Sequence, residues 1–158
     1  MNECLLFKRC KISSIFSLIL GISELFIFIR ALLFARKCNS IYSFIADNLD
    51  YDKNSFIDFL LSFTGIVFYL FVFVLVIISV IYLISAILLL IVSNIGFKIV
   101  KNKDIDKLKS NAIFKVILGV LSACFHLIFN IGDIISIVII IMSVIVIITS
   151  LLHIKRIN

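Results

Sequence analysis

The sequence predicts an all-α integral membrane protein, a four-transmembrane-helix bundle with both termini in the cytoplasm and one long second helix. Of its 158 residues, 63% are hydrophobic and 15% are charged, whereas a soluble domain is nearer half apolar and a quarter charged. The mean hydropathy is +1.30. The apolar residues form runs of about 18 residues or more, the length at which a membrane span is the usual interpretation. We therefore treat residues 1–158 as a single membrane domain.

The first two apolar runs predict two helices of different length. The first span covers about 12–34; it is too long for a signal peptide and is interrupted by Glu24. The second run, 59–97, carries no charge over 39 residues. At 1.5 Å per residue it is roughly 58 Å long, too short for two spans and a turn across a core of ~30 Å. One long helix, spanning about 62–94, follows.

The remaining spans are predicted at about 112–130 and 134–153, separated by the tight-turn sequence 130–133. These bounds leave an external loop over 35–58 and a basic cytoplasmic loop over 98–111.

Orientation follows from the basic residues. Three basic residues lie in the external loop, namely Arg36, Lys37 and Lys53. Ten lie in the N-terminal arm, the loop 98–111 and the C-terminal tail, namely Lys8, Arg9, Lys11, Lys98, Lys101, Lys103, Lys107, Lys109, Lys155 and Arg156. The positive-inside rule places these segments, and so both termini, in the cytoplasm, and we expect the plasma membrane. The five loop lysines are predicted to bind anionic lipid headgroups. The net charge of +6 is therefore a topological signal, and no nucleic-acid partner is expected.

Small and polar residues form one stripe in each of two predicted spans. In span three, the residues Gly119, Ser122, Ala123, His126 and Asn130 recur at helical spacing. Span one carries a matching face of Ser17, Gly21 and Glu24. Small residues allow close helix approach, and polar groups prefer a protein interior to lipid, so both stripes should face inward.

Glu24 is the polar residue that most needs a partner. Spans one and three run in the same direction, so Glu24 and His126 should lie at similar depth. We predict that they pair, with Tyr82 of span two as a third member. Two roles stay open for Glu24, a structural polar clamp and a proton or cation relay. Arg30 lies near the end of the span, where its side chain can reach the headgroups.

Spans one and three contain two similar segments, and we call this similarity the internal echo. Residues 15–22 (IFSLILGI) and 113–120 (IFKVILGV) share five identities at an offset of 98 residues. Two hairpins related by a parallel repeat are one explanation. Chance similarity in a chain rich in Ile and Leu is the other.

The sequence predicts no metal, cofactor or disulfide framework. The four cysteines lie on different segments. Residues 50–58 resemble the start of an EF-hand calcium loop, but Ser55 and Leu61 replace its glycine and its bidentate glutamate. A solvated loop is the alternative for this segment. No catalytic constellation is present in the sequence.

These observations predict a protein that is not an enzyme and acts through helix packing as a structural, assembly or accessory component. The expected partners are the lipid bilayer and either further copies of the chain or another membrane protein. The alternative is a small oligomeric proton- or cation-coupled transporter or channel that uses Glu24. In support of this alternative, the chain resembles the small multidrug exporters, which also have four spans and a glutamate in the first span. The chain differs from these exporters in its 24-residue first loop and in its lack of Trp and Pro.

Overall fold

The computed structural model describes residues 3–48, 55–129 and 134–157, which form four helices. They are α1 (Glu3–Asn48), α2 (Ser55–Asn102), α3 (Asp106–Phe129) and α4 (Ile134–Ile157). Each contains a segment long and apolar enough to cross a membrane: Cys4–Phe44, Ser62–Asn102, Asp106–Ile128 and Ile134–Leu152. The all-helical fold with four candidate spans is confirmed, and the long apolar run of the second span lies in one continuous helix.

The chain divides into two compact units. Unit 1 contains Met1–Leu25 and Ile84–Asn158, and unit 2 contains Phe26–Leu83. The reason is helix length. The first two helices have 46 and 48 residues, whereas α3 and α4 have 24 each, about 36 Å of helix. Unit 2 is therefore built from α1 and α2 alone.

The helices extend into both predicted loops. In the segment 35–58, predicted to be an external loop, residues 35–48 continue α1 and residues 55–58 begin α2. Residues 35–48 contain neither Pro nor Gly, so nothing in the sequence stops the helix. The cytoplasmic loop expected over 98–111 is reduced to a connection between Asn102 and Asp106.

The connection between α2 and α3 is a capped turn. Lys103 adopts a left-handed conformation with φ 53°, and the Asp104 N–H donates to the Ile99 carbonyl at 3.2 Å. This is the Schellman arrangement that ends many helices. The Asp104 carboxylate accepts the Lys107 backbone N–H at 3.4 Å and so caps the next helix. A hydrogen bond from the Lys107 side chain lowers the pKa of the Asp104 carboxyl.

Unit 1 packs four helical segments along inward faces whose residues alternate at spacings of three and four. This spacing is typical of left-handed helix bundles. The contacts of Ser14 with Ser93 and of Gly21 with Leu89 make α1 antiparallel to α2. The buried positions are Leu6, Cys10, Ser13, Ser17, Leu20 and Glu24 on α1; Ala86, Leu89, Ser93 and Gly96 on α2; Leu108, Asn111, Lys115, Leu118 and Ser122 on α3; and Ser136, Ile139, Ser143, Val146 and Ser150 on α4.

Gly21 and Gly119 occupy equivalent positions of the internal echo and make equivalent contacts. A Cβ on Gly21 would lie 3.2 Å from the Ala86 carbonyl oxygen of α2. A Cβ on Gly119 would lie 3.0 Å from Ile147 Cγ1 of α4. Each glycine thus lets the following helix approach closely. This correspondence favours two hairpins related by a parallel repeat.

Unit 2 contains a cluster of aromatic side chains between α1 and α2. The Tyr42 ring stacks on Phe68 with centroids 4.9 Å apart, and it meets Tyr69 edge to face at 5.5 Å. Such pairs stabilise by about 0.5–1.5 kcal/mol beyond the area that they bury.

We predict that Gly119→Val destabilises the protein by about 1–3 kcal/mol, because the added methyl groups must displace Ile147 from a packed contact. The measurement is unfolding by SDS in mixed micelles, followed by far-UV circular dichroism. Val120→Leu is the matched control, since Val120 is the adjacent residue and is exposed. Equal midpoints for the two variants would show that the contact between α3 and α4 is loose.

Candidate functional site

The interior of unit 1 contains two groups of polar side chains. We call Ser13, Ser14, Ser93, Asn111 and Lys115 the lysine layer. We call Glu24, Ser85, Ser122 and Ser143 the carboxylate layer. Between them the inward positions are mainly apolar, with Leu20, Leu89, Leu118 and Val146 all buried.

The lysine layer is built around the Lys115 ammonium, which is fully buried. Its Nζ donates to the hydroxyls of Ser13 at 3.0 Å and Ser14 at 2.7 Å. Both hydroxyls in turn donate to the carbonyl oxygen of Cys10, at 3.0 and 2.8 Å. Because each hydroxyl proton is directed to the carbonyl, its lone pairs are available to the ammonium. The layer therefore solvates a cation inside an apolar helix bundle.

Further hydrogen bonds of the lysine layer connect the other helices. The Ser93 hydroxyl of α2 donates to the Ser14 carbonyl oxygen of α1 at 2.7 Å. The Asn111 amide of α3 donates to the Val92 carbonyl oxygen of α2 at 3.0 Å. The layer thus ties α1, α2 and α3 together.

Gly96 makes room for the ammonium. A Cβ on this residue would overlap the Ser14 hydroxyl and would lie 2.9 Å from Lys115 Nζ and 3.1 Å from Asn111 Oδ1. No residue larger than glycine fits here unless these polar groups move.

An apolar cluster lies beside the lysine layer, toward the basic end of the unit. It consists of Leu6, Cys10, Ile99 and Leu108, with Phe7 and Val100 packed against it. Arg9 donates to the Leu152 carbonyl oxygen at 3.3 Å, which brings the start of α1 beside the end of α4.

Lys115 is absent from the site predicted from the sequence, which treats 112–129 as an apolar run with one polar stripe. This omission is an error, because Lys115 lies on that same stripe, four residues before Gly119 and seven before Ser122. The helical spacing of Lys115 from Gly119 and Ser122 is the sequence feature that indicates an interior position.

The carboxylate layer surrounds Glu24, which is also fully buried. Neither oxygen of its carboxylate has a hydrogen-bond partner among the residues that the structure describes, and the same is true of the Ser85 hydroxyl. The hydroxyls of Ser85 and Ser122 lie beside the carboxylate, although neither meets the geometry of a hydrogen bond to it. Ser143 of α4 is hydrogen-bonded to the Ser122 hydroxyl at 3.2 Å.

The predicted pair of Glu24 and His126 is not joined by a hydrogen bond to the carboxylate, within the described part of the chain. His126 is fully buried as predicted for an interior position. The internal echo accounts for the absence of this bond. Positions 98 residues apart are equivalent in the echo, so the residue of α3 that is equivalent to Glu24 is Ser122. His126 lies one turn further along α3, about 6 Å of rise. A joint role for the two residues stays a prediction.

The other predicted residues fall in several places. Tyr82 is buried and belongs to unit 2. Ser17, Gly21, Gly119 and Ser122 are buried, whereas Ala123 is half-buried. Asn130 lies outside the described residues, as do residues 50–54 of the EF-hand-like segment. The five lysines predicted to bind headgroups are all exposed.

The described residues contain no group of three or more His, Cys, Asp or Glu side chains that could hold a metal ion. All four cysteines are free thiols. The site therefore offers hydroxyl, carboxylate, amide and ammonium groups for its chemistry.

No protein-family model, curated protein or solved structure matches the chain. Function is therefore inferred from the buried polar groups.

We predict that the double substitution Ser13→Ala/Ser14→Ala destabilises unit 1 by about 3 kcal/mol, because it leaves a buried ammonium without acceptors. Adding Lys115→Met to this variant should restore most of the loss, since an apolar side chain of similar length needs no acceptor. The measurement is again SDS unfolding in mixed micelles. Ser23→Ala is the control, because among the described residues its hydroxyl bonds to the Ile19 carbonyl of its own helix. A triple variant no more stable than the double would contradict a charged Lys115.

Proposed function

We propose that this chain is a multi-pass membrane protein without enzymatic activity that acts through helix packing, as a structural, assembly or accessory component. The observation that carries the proposal is the set of buried hydrogen bonds between helices of unit 1. Lys115 links α3 to α1, Ser93 links α2 to α1, Asn111 links α3 to α2, and Ser143 links α4 to α3.

These bonds support a packing role because they fix the relative register of the helices. In lipid, apolar side chains gain little from leaving one apolar surface for another, so close packing and polar bonds decide how helices associate. Each interhelical hydrogen bond stabilises by only about 0.6 kcal/mol on average. Their main effect is specificity, since a helix that slides leaves a buried donor or acceptor unpaired.

The same geometry supports the proposed topology. Arg9 lies beside Leu152, and Leu6 packs with Ile99 and Leu108 next to the α2–α3 turn. The N-terminal arm, this turn and the end of α4 therefore lie at one end of unit 1. We place that end in the cytoplasm, at the plasma membrane, by the positive-inside rule. Its exposed lysines are suited to anionic lipid headgroups.

One observation favours a second candidate, a small oligomeric proton- or cation-coupled transporter or channel. The Glu24 carboxylate is fully buried without a hydrogen-bond partner among the described residues. An isolated carboxylate in an apolar interior is neutralised by a proton or another cation. Ionisable residues inside membrane spans frequently mark ion pathways.

Proteoliposomes loaded with a pH-sensitive dye distinguish the two candidates. For a packing role we expect proton flux no greater than in protein-free vesicles, with or without Na⁺ or K⁺ gradients, and no effect of Glu24→Gln. Flux that is present in the wild type and lost in Glu24→Gln would instead establish the transporter.

A positive test of packing uses the protein extracted from its own membrane in mild detergent. We expect native electrophoresis to show a species larger than the monomer. Gly119→Val should reduce it, because that substitution loosens the contact between α3 and α4. Val120→Leu should leave it intact. A purely monomeric wild type would contradict an assembly role.

A further inference from the structure

The oxygens of Glu24 and Ser85 are bonded differently from those of most inward hydroxyls. Ser13, Ser14, Ser17 and Ser143 each donate to a carbonyl of their own helix. By contrast, the Ser85 hydroxyl and both Glu24 carboxylate oxygens are buried without any hydrogen bond to a described residue, as are the Ser150 hydroxyl and the Asn111 amide oxygen, which lie apart from this group.

We propose that Glu24, Ser85 and Ser122 form a binding site for one small alkali cation, of the Na⁺ class, inside unit 1. The three side chains come from α1, α2 and α3. They supply two carboxylate oxygens and two hydroxyl oxygens, and Ser143 of α4 holds the Ser122 hydroxyl in place at 3.2 Å.

Lys115 does not neutralise this carboxylate. Its ammonium is held at Ser13 and Ser14, and Ser14 precedes Glu24 by ten residues, roughly 15 Å along α1. The buried side chains of Leu20, Leu89, Leu118 and Val146 lie between the two levels. Attraction over this distance is weak compared with the desolvation of a carboxylate. Neutralisation of Glu24 therefore requires a proton or another cation at the carboxylate itself.

The donor set selects the kind of cation. Carboxylate and hydroxyl oxygens are ligands for hard cations, whereas softer transition metals prefer imidazole and thiolate groups. Glu24 contributes one negative charge, which a monovalent ion neutralises. A divalent ion would leave an uncompensated charge in an apolar interior. A proton on Glu24 competes for the same position.

This inference goes beyond the packing role, and it names the ion for the second candidate function. It requires binding at equilibrium and does not require that the ion cross the membrane. A binding experiment in detergent therefore tests the site, and a flux experiment in vesicles tests transport, and either result can be negative without the other.

The first test is labelling of Glu24 by dicyclohexylcarbodiimide, which attacks a protonated carboxyl buried in an apolar region. The full chain in detergent is labelled at fixed pH and ionic strength, with N-methylglucamine chloride replaced stepwise by NaCl or KCl, and is analysed by intact mass. We expect Na⁺ to suppress labelling at a much lower concentration than K⁺, and Glu24→Gln to remain unlabelled.

The serine variants test the ligands. Ser85→Ala and Ser122→Ala should each raise the half-protecting Na⁺ concentration by at least about tenfold, as loss of a group that supports a bound metal does. Ser23→Ala, which removes a neighbouring hydroxyl on α1, should leave it unchanged. Protection that is equal for Na⁺ and N-methylglucamine, or unaffected by both serine variants, would overturn the proposal.

A direct measurement covers the case in which the reagent does not reach Glu24. Equilibrium dialysis with radioactive Na⁺ should give about one ion per chain for the wild type and none for Glu24→Gln. Circular dichroism verifies that the variant is folded. No binding by the folded wild type overturns the site, whatever the flux. Binding without flux upholds the site and excludes a transporter.

Discussion

The constraint on which unit 1 depends most is the need to keep a lysine ammonium inside an apolar helix bundle. Lys115 meets this need through the Ser13 and Ser14 hydroxyls, which are themselves anchored on the Cys10 carbonyl. This arrangement requires α1 and α3 to lie side by side at one register. It also requires a glycine at position 96, where any larger residue would meet the ammonium. Two helix contacts are therefore set by one charge.

The two polar layers differ in whether their charged group forms hydrogen bonds with other described residues. The lysine layer surrounds its ammonium with oriented oxygens, and each of its serine hydroxyls has a defined acceptor. The carboxylate layer collects oxygens around Glu24 and supplies its carboxylate with no hydrogen-bond donor in good geometry from the described residues. A buried carboxylate that receives no hydrogen bond of good geometry, with hydroxyl oxygens beside it, is suited to a hard cation. The separation between the two levels, roughly 15 Å along α1, makes their attraction small compared with the cost of desolvating each charge.

The internal echo relates the two layers to the architecture. Gly21 and Gly119 each allow the next helix to approach, and the residues three positions later are Glu24 and Ser122, at one depth. The same framework thus places a carboxylate on one hairpin opposite a hydroxyl on the other. Ser17 and Lys115 are likewise equivalent positions of the echo. The two hairpins therefore carry different polar residues at equivalent positions, and these differences give each polar layer its own chemistry.

The sequence by itself determined the all-helical class, the four apolar segments, the unbroken second helix and the inward direction of the stripe from Gly119 to His126. These follow from local properties, namely hydropathy, run length and helical periodicity. It did not determine where α1 ends, because helix termination depends on contacts as well as on Pro and Gly. Only the tertiary structure placed Ser122 beside Glu24, revealed that Lys115 is solvated by α1, and separated the two units. Such choices depend on which faces of distant helices meet, and helical periodicity alone does not contain that information.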